Sequence, residues 1–163
     1  TIYNIYKALG FKAIGVKHLG DWGTQFGMLI YAYKTWGNKK TVDKNPIPEL
    51  LKLYARFNEE VEQDPSMAEK GREEFKKLEE GNEENIKLWE WFKELSLNDL
   101  KKTYETLGIH FDEYIGESFY RDKMDAIIDK GLEQGIFKEG EGGSLIAEFG
   151  GANMAPCVIK KSV

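Results

Sequence analysis

Residues 18–27 read HLGDWGTQFG, and this stretch joins a predicted strand to a predicted helix. Before it, residues 11–17 approach the alternating pattern of a strand and include β-branched side chains. After it, a helix begins near Asp21 or Thr24, since either side chain can cap backbone N–H groups. The apolar stripe of this helix consists of Phe26, Leu29, Ile30 and Tyr33. Strand, loop and helix in this order predict an α/β fold with a parallel sheet, in which ligands bind where strands end and helices begin.

The segments on either side of this unit predict a helix and a loop. Apolar side chains recur at helical spacing at the start of the chain, at Ile2, Ile5, Tyr6 and Leu9. Gly10 follows at the position where helices commonly end in a left-handed residue. Residues 38–48 contain Asn and Pro breakers and predict a loop.

Residues 49–107 predict an all-helical insertion of at least three helices with no strand. The mixed Glu and Lys residues of the segment 71–85 indicate a solvated face. Asp64-Pro65 predicts a break, and Ser96 with Asp99 predicts a capping box that restarts a helix.

The last third of the chain predicts short strands around one helix. Residues 109–115 form the first strand candidate, and Ser118 is placed to cap a helix that stops at Gly135. Residues 144–149 and 157–161 are strand-like, are joined through Gly150-Gly151 and Pro156, and predict a hairpin or a sheet edge. The predicted domains are therefore 1–48 and 108–163, both parts of an α/β core, separated by the helical insertion 49–107.

Composition indicates a globular protein of the reducing cytosol. Hydrophobic residues make up 41% of the 163 residues, which is ordinary globular usage. The single cysteine, Cys157, has no partner for an internal disulfide. No apolar run approaches the ~20 residues that cross a bilayer, so we expect no membrane association and a cytoplasmic location. Because the chain begins at Thr1 and Val163 follows a strand-like run, we interpret it as an internal piece of a longer protein.

Charge is unevenly distributed along the chain. Residues 1–48 carry 7 basic and 2 acidic side chains, residues 49–107 carry 10 and 16, and residues 108–163 carry 6 and 10. The basic first segment is therefore where a polyanion such as a nucleotide or a phosphate backbone would bind. Surface charge without a binding role explains the same distribution.

The loop after the first strand has the features of a binding loop. Gly20 and Gly23 allow a backbone to approach a ligand closely, the helix start presents unpaired N–H donors, and Trp22 offers a face for stacking. The alternative is a tight turn with a core tryptophan and an Asp21 cap. The residues alone do not identify a ligand.

Other reactive side chains favour structural interpretations. His110 is interpreted as a structural histidine rather than a zinc ligand, because zinc needs more ligands than two histidines and one cysteine supply. Asp112, Glu113 and Glu117 are interpreted as strand-edge carboxylates rather than a cation site, so no metal site is predicted. Cys157 is interpreted as a small buried residue. The aromatic cluster of Trp89, Trp91 and Phe92 favours core packing over stacking on RNA bases.

Several stretches, in order along the chain, resemble one known family. Residues 18–30, HLGDWGTQFGMLI, are similar to the loop and helix that follow the second Rossmann strand in class I arginyl-tRNA synthetases. Further similar stretches are residues 88–92, 104–108, 111–112, 116–118 and 156–162. The resemblance spans nearly the whole chain and implies an incomplete Rossmann-like sheet interrupted by a large all-helical insertion.

The resemblance implies an arginine-tRNA ligase. In that reaction the arginine carboxylate attacks the α-phosphorus of ATP, giving arginyl-adenylate and pyrophosphate, and the arginyl group then passes to the terminal ribose of tRNA(Arg). ATP, with Mg²⁺, and arginine are the implied small-molecule partners, and the parent is expected to be monomeric. The implied substrate-binding residues are His18, Gly20, Asp21, Trp22, Gly23, Thr24 and Gln25, with Glu117 near the tRNA 3′ end.

The resemblance also shows that essential motifs of the family are missing from this sequence. The His-Ile-Gly-His motif of the family and its Lys-Met-Ser-Lys-Ser type loop do not occur in this sequence. No catalytic residue is therefore assigned, and the chain alone is expected to be inactive. The family ordinarily continues Lys161-Ser162 with Asp-Gly, whereas here Val163 follows. Two alternatives remain at this point: another nucleotidyl-transferring α/β enzyme, or a non-enzymatic helical interaction module.

Overall fold

The computed structural model describes residues 1–150 and 154–161. The predicted link through Gly151 and the departure from the family at Val163 lie outside the described residues. The fold is mixed α/β, as predicted, and comprises two compact units, Thr1–Ser118 and Phe119–Val163.

The first unit combines a parallel strand pair with a set of packed helices. Its elements in chain order are α1 (Ile2–Ala8), β1 (Val16–Leu19), α2 (Thr24–Trp36), α3 (Lys39–Lys44), α4 (Pro46–Gln63), α5 (Met67–Glu79), α6 (Glu83–Thr106) and β2 (Glu113–Gly116). β1 and β2 pair in parallel, with Val16 opposite Glu113 and Leu19 opposite Gly116. Parallel neighbours need a long crossover connection, and here the helices α2 to α6 supply it.

The helices enclose the hydrophobic core of the first unit. α2 to α6 each contribute to one cluster of buried side chains, which consists of Ile30, Val42, Leu50, Leu78, Trp89 and Phe92. The prediction that Trp89 and Phe92 belong to the core is therefore confirmed. The prediction of at least three helices and no strand between residues 49 and 107 is also confirmed.

Two glycines let α2 and α5 pack closely. Gly27, on α2, faces the backbone carbonyl of Gly71 and the side chain of Phe75 on α5. A Cβ atom at position 27 would overlap both, so only glycine fits there without a shift of one helix. The last glycine of the HLGDWGTQFG stretch therefore serves helix packing.

A buried polar network ties α2, α5 and α6 together. Glu74 accepts hydrogen bonds from the amine of Lys34 at 2.9 Å and of Lys77 at 2.6 Å. The fully buried Asn85 donates to the Glu74 carboxylate at 2.9 Å and to its backbone carbonyl at 2.7 Å. Lys34 also forms an ion pair with Glu84 at 2.9 Å. The prediction that residues 71–85 form a solvated face is therefore wrong for Glu74 and Asn85, which are buried against α2.

The helix boundaries differ from the predicted ones in two places. The predicted loop 38–48 contains α3 and the start of α4, because the Asn38 side chain caps α3 and proline is tolerated in the first turn of α4. No helix restarts at Ser96, since its hydroxyl donates to the Phe92 carbonyl inside an uninterrupted α6. Gly10 adopts positive φ, as expected after the end of α1, and Gly108 does the same after α6.

The two predicted strands of the first unit are displaced towards their carboxyl ends. β1 covers Val16–Leu19 rather than 11–17, and β2 covers Glu113–Gly116 rather than 109–115. The pairing of the two strands sets both limits, because alternation in sequence does not tell where a partner strand begins and ends. His18 consequently lies in β1 and not in the loop.

The second unit contains a helix and a small antiparallel sheet. A 3₁₀ segment, Glu117–Lys123, leads into α7 (Met124–Glu133), β3 (Phe137–Glu139), β4 (Leu145–Ala147) and β5 (Cys157–Lys160). The strand order is β3-β4-β5, with Phe137 opposite Ala147 and Leu145 opposite Lys160. The predicted antiparallel pair is confirmed, whereas the sequence patterns did not predict the three-residue β3.

Two side-chain predictions for this region are wrong. Cys157 is exposed and not buried, and it lies on β5, at the edge of the sheet. Ser118 does not cap α7, which begins only at Met124. Gly135, which follows α7, has the positive φ expected of a helix end.

Candidate functional site

The candidate site lies where β1 and β2 end. Because the two strands are parallel and Leu19 pairs with Gly116, the loop that begins at Gly20 and the segment that begins at Glu117 leave the same edge of the sheet. Ligands of parallel α/β folds bind at this edge. The structure thus brings the two parts of the predicted site, which are far apart in sequence, to one place.

Asp21 is the most buried polar residue of the loop, with 5% of its surface exposed. One carboxylate oxygen accepts the backbone N–H of Ser118 at 2.9 Å, and the other accepts the Ser118 hydroxyl at 2.7 Å. The amine of Lys93, on α6, lies 3.5 Å from the second oxygen. Asp21 therefore binds the segment after β2 and does not cap α2, whose N-cap is Gly23.

Trp22 lies against the core. Its ring makes edge-to-face contacts with Phe75 and Trp89, with ring centroids 5.6 and 5.3 Å apart. The indole N–H of Trp89 donates to the Asp21 carbonyl at 2.7 Å. These contacts match the core interpretation of Trp22 and leave a stacking role as a prediction.

The remaining loop residues surround the start of α2. Gly23 has φ 143°, a conformation that disfavours other residues. The side chains of Thr24 and Gln25 are exposed, and the Gln25 amide donates weakly to the Trp22 carbonyl at 3.4 Å. Glu117 is exposed at the start of the 3₁₀ segment.

A cavity of about 320 Å³ lies between β1, its following loop and α6. Its lining combines the predicted residues His18, Gly20 and Asp21 with side chains of α6. The lining residues of α6 are Lys93, Ser96, Leu97, Leu100 and Tyr104. Trp22, Gly23, Thr24, Gln25 and Glu117 do not line it. The lining carries the amines of Lys17 and Lys93 against the one carboxylate of Asp21, which pairs with Lys93, so a net positive charge remains that suits an anionic ligand.

Sequence reasoning missed the wall that α6 contributes. Lys93, Ser96 and Tyr104 lie on a helix that the pattern assigned to the insertion, and nothing local links them to the loop. The positive charge of residues 1–48, which include Lys17, was the one available signal.

A second carboxylate holds the opposite end of the strand pair. Asp112 accepts the backbone N–H of Gly15 at 2.7 Å and the hydroxyl of Tyr3 at 3.0 Å. The Gly15 and Tyr3 hydrogen bonds lower the pKa of the Asp112 carboxyl below its ordinary value. His110 lies 3.9 Å from Asp112. Asp112 therefore performs a structural task at the end away from the candidate site.

The described residues offer neither a metal cluster nor a membrane span. Across residues 1–150 and 154–161, no group of three or more His, Cys, Asp or Glu side chains is arranged to hold a metal ion. Within the same residues, no helix is both long and apolar enough to cross a bilayer.

Comparison with known proteins finds one consistent set of relatives. The family model described as tRNA synthetases class I (R), catalytic domain, matches residues 1–163. The chain is 47% identical over 161 residues to the arginine-tRNA ligase of Alkaliphilus metalliredigens. It is 48% identical to those of Clostridium kluyveri, over 164 residues, and Streptococcus pneumoniae, over 162 residues. These matches cover 99% of the chain but only 28–29% of the relatives.

A solved structure agrees with the sequence relatives. The arginyl-tRNA synthetase of Plasmodium falciparum matches with a TM-score of 0.71 and 27% identity. The match covers 96% of this chain and 26% of that one. The chain thus corresponds to little more than a quarter of the length of the proteins it matches.

Proposed function

The chain belongs to the class I arginyl-tRNA synthetase catalytic-domain family, and from this premise we propose that it is part of an enzyme that activates arginine with ATP and transfers it to tRNA(Arg). The observation that carries the proposal is the identity of 47–48% to arginine-tRNA ligases over 99% of the chain. The helical-module alternative has no comparable support, since the similarity extends through both strand regions as well as the helices.

We propose that the loop at the strand ends forms one wall of the substrate site. The wall residues are His18, Gly20, Asp21, Trp22, Gly23, Thr24 and Gln25, with Glu117 on the adjoining segment. Their position at the carboxyl edge of a parallel strand pair supports this role. The lysines of the neighbouring cavity favour the negative charge of ATP or of the tRNA 3′ end.

Catalysis of this kind depends mainly on positioning and on stabilising charge at the transferring phosphorus. The residues of this chain orient the substrates from one side, and we assign none of them a bond-making step. Mg²⁺ in such enzymes is held largely through substrate phosphates, so ATP brings it to the site.

The domain division stays a prediction within this proposal. We propose that 49–107 is an insertion between two parts of one Rossmann-like core, 1–48 and 108–163. The parallel pairing of β1 with β2 across the intervening helices supports this division. We further propose that the parent enzyme is monomeric and cytoplasmic.

The test is ATP–pyrophosphate exchange by the full-length protein that contains this chain. We expect exchange that depends on arginine and tRNA(Arg) and that lysine does not support in place of arginine. Full-length protein that folds but shows no arginine-dependent exchange and no arginylation would disprove the proposed activity.

Two matched pairs of variants test the wall. We expect His18→Ala and Gln25→Ala to lower kcat/KM about tenfold or more, because each removes a polar group from the proposed substrate wall. The controls are His110→Ala and Gln63→Ala, which make the same substitutions at exposed positions away from the carboxyl ends of β1 and β2. Equal effects in both members of each pair would show that the loop is not the substrate wall.

The 163-residue chain by itself should not catalyse exchange. The ATP-binding motifs of the family are absent from its sequence, and the combined positioning of several groups supplies most of the rate. Turnover that survives repurification of the isolated chain would show that His18 or Asp21 acts in catalysis.

A further inference from the structure

Both oxygens of the Asp21 carboxylate bind other groups of the protein. It is almost fully buried, and both of its oxygens accept hydrogen bonds from the backbone N–H and the hydroxyl of one residue, Ser118. Burying a carboxylate is costly unless it is paired and hydrogen-bonded. Such a group, held at both oxygens by one residue, fixes the distance and the orientation of that residue.

The bond continues the strand pairing beyond the point where the backbones separate. The last paired residues of β1 and β2 are Leu19 and Gly116. Two residues further along each chain, the same register brings Asp21 opposite Ser118. There the side chain of Asp21, and not the backbone, holds the two segments together, at the edge where the candidate site lies.

The close approach depends on Gly116. A Cβ atom at position 116 would overlap the Asp21 carboxylate. The segment after β2 therefore reaches Asp21 because its last strand residue has no side chain.

α6 contacts the same point from another side. The Trp89 N–H donates to the Asp21 carbonyl at 2.7 Å, and the Lys93 amine lies 3.9 Å from the centre of the Trp89 ring and 3.5 Å from the Asp21 carboxylate. Asp21 thus joins the loop after β1, the segment after β2 and the helix that forms the cavity wall.

We propose that Asp21 is a positioning residue: through Ser118 it locks the His18–Gln25 loop and Glu117 into one arrangement for substrate binding. The proposal rests on the proposed function and refines it, because Asp21 acts on the substrates through Ser118 and not by direct contact. It also predicts that the effects of changing Asp21 and Ser118 are not independent.

The kinetic test uses the full-length enzyme and a double-mutant cycle. We expect Asp21→Ala to lower kcat/KM for exchange about a hundredfold and Ser118→Ala about tenfold. The double variant should be no worse than Asp21→Ala alone, since the shared bond is already lost. Ser118→Thr, which keeps the hydroxyl, should restore kcat/KM to within about twofold of the parent enzyme.

The matched control is Asp112→Ala, at the opposite end of the same strand pair. Asp112 also accepts a backbone N–H and a side-chain hydroxyl, so its loss should reduce stability comparably while kcat/KM of the folded enzyme changes less than about twofold. If Asp112→Ala and Asp21→Ala reduce kcat/KM equally, Asp21 has only a structural role. If the effects of Asp21→Ala and Ser118→Ala multiply, Asp21 acts on the substrate directly. Either result overturns the proposal.

A second measurement does not depend on the reaction. Hydrogen exchange of the Ser118 amide should be slow in the parent protein and at least about tenfold faster in Asp21→Ala, with the Gly15 amide unchanged. Unchanged protection of Ser118 would refute the lock even in an active enzyme. If Asp21→Ala loses this protection but the full-length parent protein shows no arginine-dependent ATP–pyrophosphate exchange, the lock is present and the proposed function is wrong.

Discussion

The Glu74 carboxylate should be a main source of pH-dependent stability in the helical part of the protein. Burial raises the pKa of Glu74, but hydrogen bonds from Lys77, Lys34 and Asn85 outweigh burial and lower the pKa from its ordinary 4.5 to about 2. A pKa change of that size means that ionised Glu74 stabilises the folded state by roughly 3 kcal/mol. Solvent around the half-exposed Lys77 screens part of this interaction. We therefore expect Glu74 to contribute about 2 kcal/mol to the free energy of unfolding.

The direction of the pH effect follows from the lowered pKa. A carboxyl group that binds its proton less readily when folded stabilises the protein above its unfolded-state pKa, and this contribution is lost as the pH falls from 4.5 towards 2. Glu74→Gln should therefore reduce the free energy of unfolding by about 2 kcal/mol at neutral pH. The difference from the parent protein should shrink to about half near pH ~3.

Urea unfolding followed by circular dichroism at both pH values measures this difference. Glu84→Gln is the matched control, because Glu84 pairs with the same Lys34 amine but its side chain is 69% exposed. We expect that control to change stability by less than about 0.5 kcal/mol. A Glu74→Gln effect below that level, or one that stays constant as the pH falls, would refute the reasoning.

Three further predictions concern packing and charge. Gly27→Ala should lower the free energy of unfolding by about 1–3 kcal/mol, because its methyl group would overlap Gly71 and Phe75 on α5; thermal denaturation measures this, and an unchanged Tm contradicts it. Trp22→Ala should lower the free energy of unfolding by about 3 kcal/mol, because its ring packs against two core aromatic rings. Measuring kcat/KM of the folded fraction then shows whether the ring also binds substrate, as its position in the loop predicts. The basic segment 1–48 should give the chain a weak affinity for tRNA that falls as ionic strength rises; fluorescence anisotropy at increasing salt measures it, and binding that does not depend on salt contradicts it.

Local patterns predicted the elements better than their limits. The helical spacing of apolar residues located α1 and α2, and the alternation of residues 144–149 and 157–161 located the antiparallel pair. The limits of β1 were missed because a strand extends only as far as its partner, and β2 lies far away in sequence.

Buried polar groups were the larger omission. Glu74 and Asn85 look like surface residues in sequence, and they are buried because Lys34 on another helix pairs with both. Asp21 looks like a helix cap, and its actual partner Ser118 is 97 residues away. Hydrophobic periodicity reports apolar faces only, so a side chain whose role depends on a distant partner leaves no local signal.

The four-residue pairing of β1 with β2 has a consequence for the order in which the protein folds. Contacts between residues close in sequence form before contacts that must close a long loop, because loop closure costs entropy in advance of any stabilisation. The β1–β2 ladder closes a long loop of the first unit, across α2 to α6. The helices should therefore assemble early, and the edge that carries the candidate site should be among the last parts of the first unit to form and the first to open.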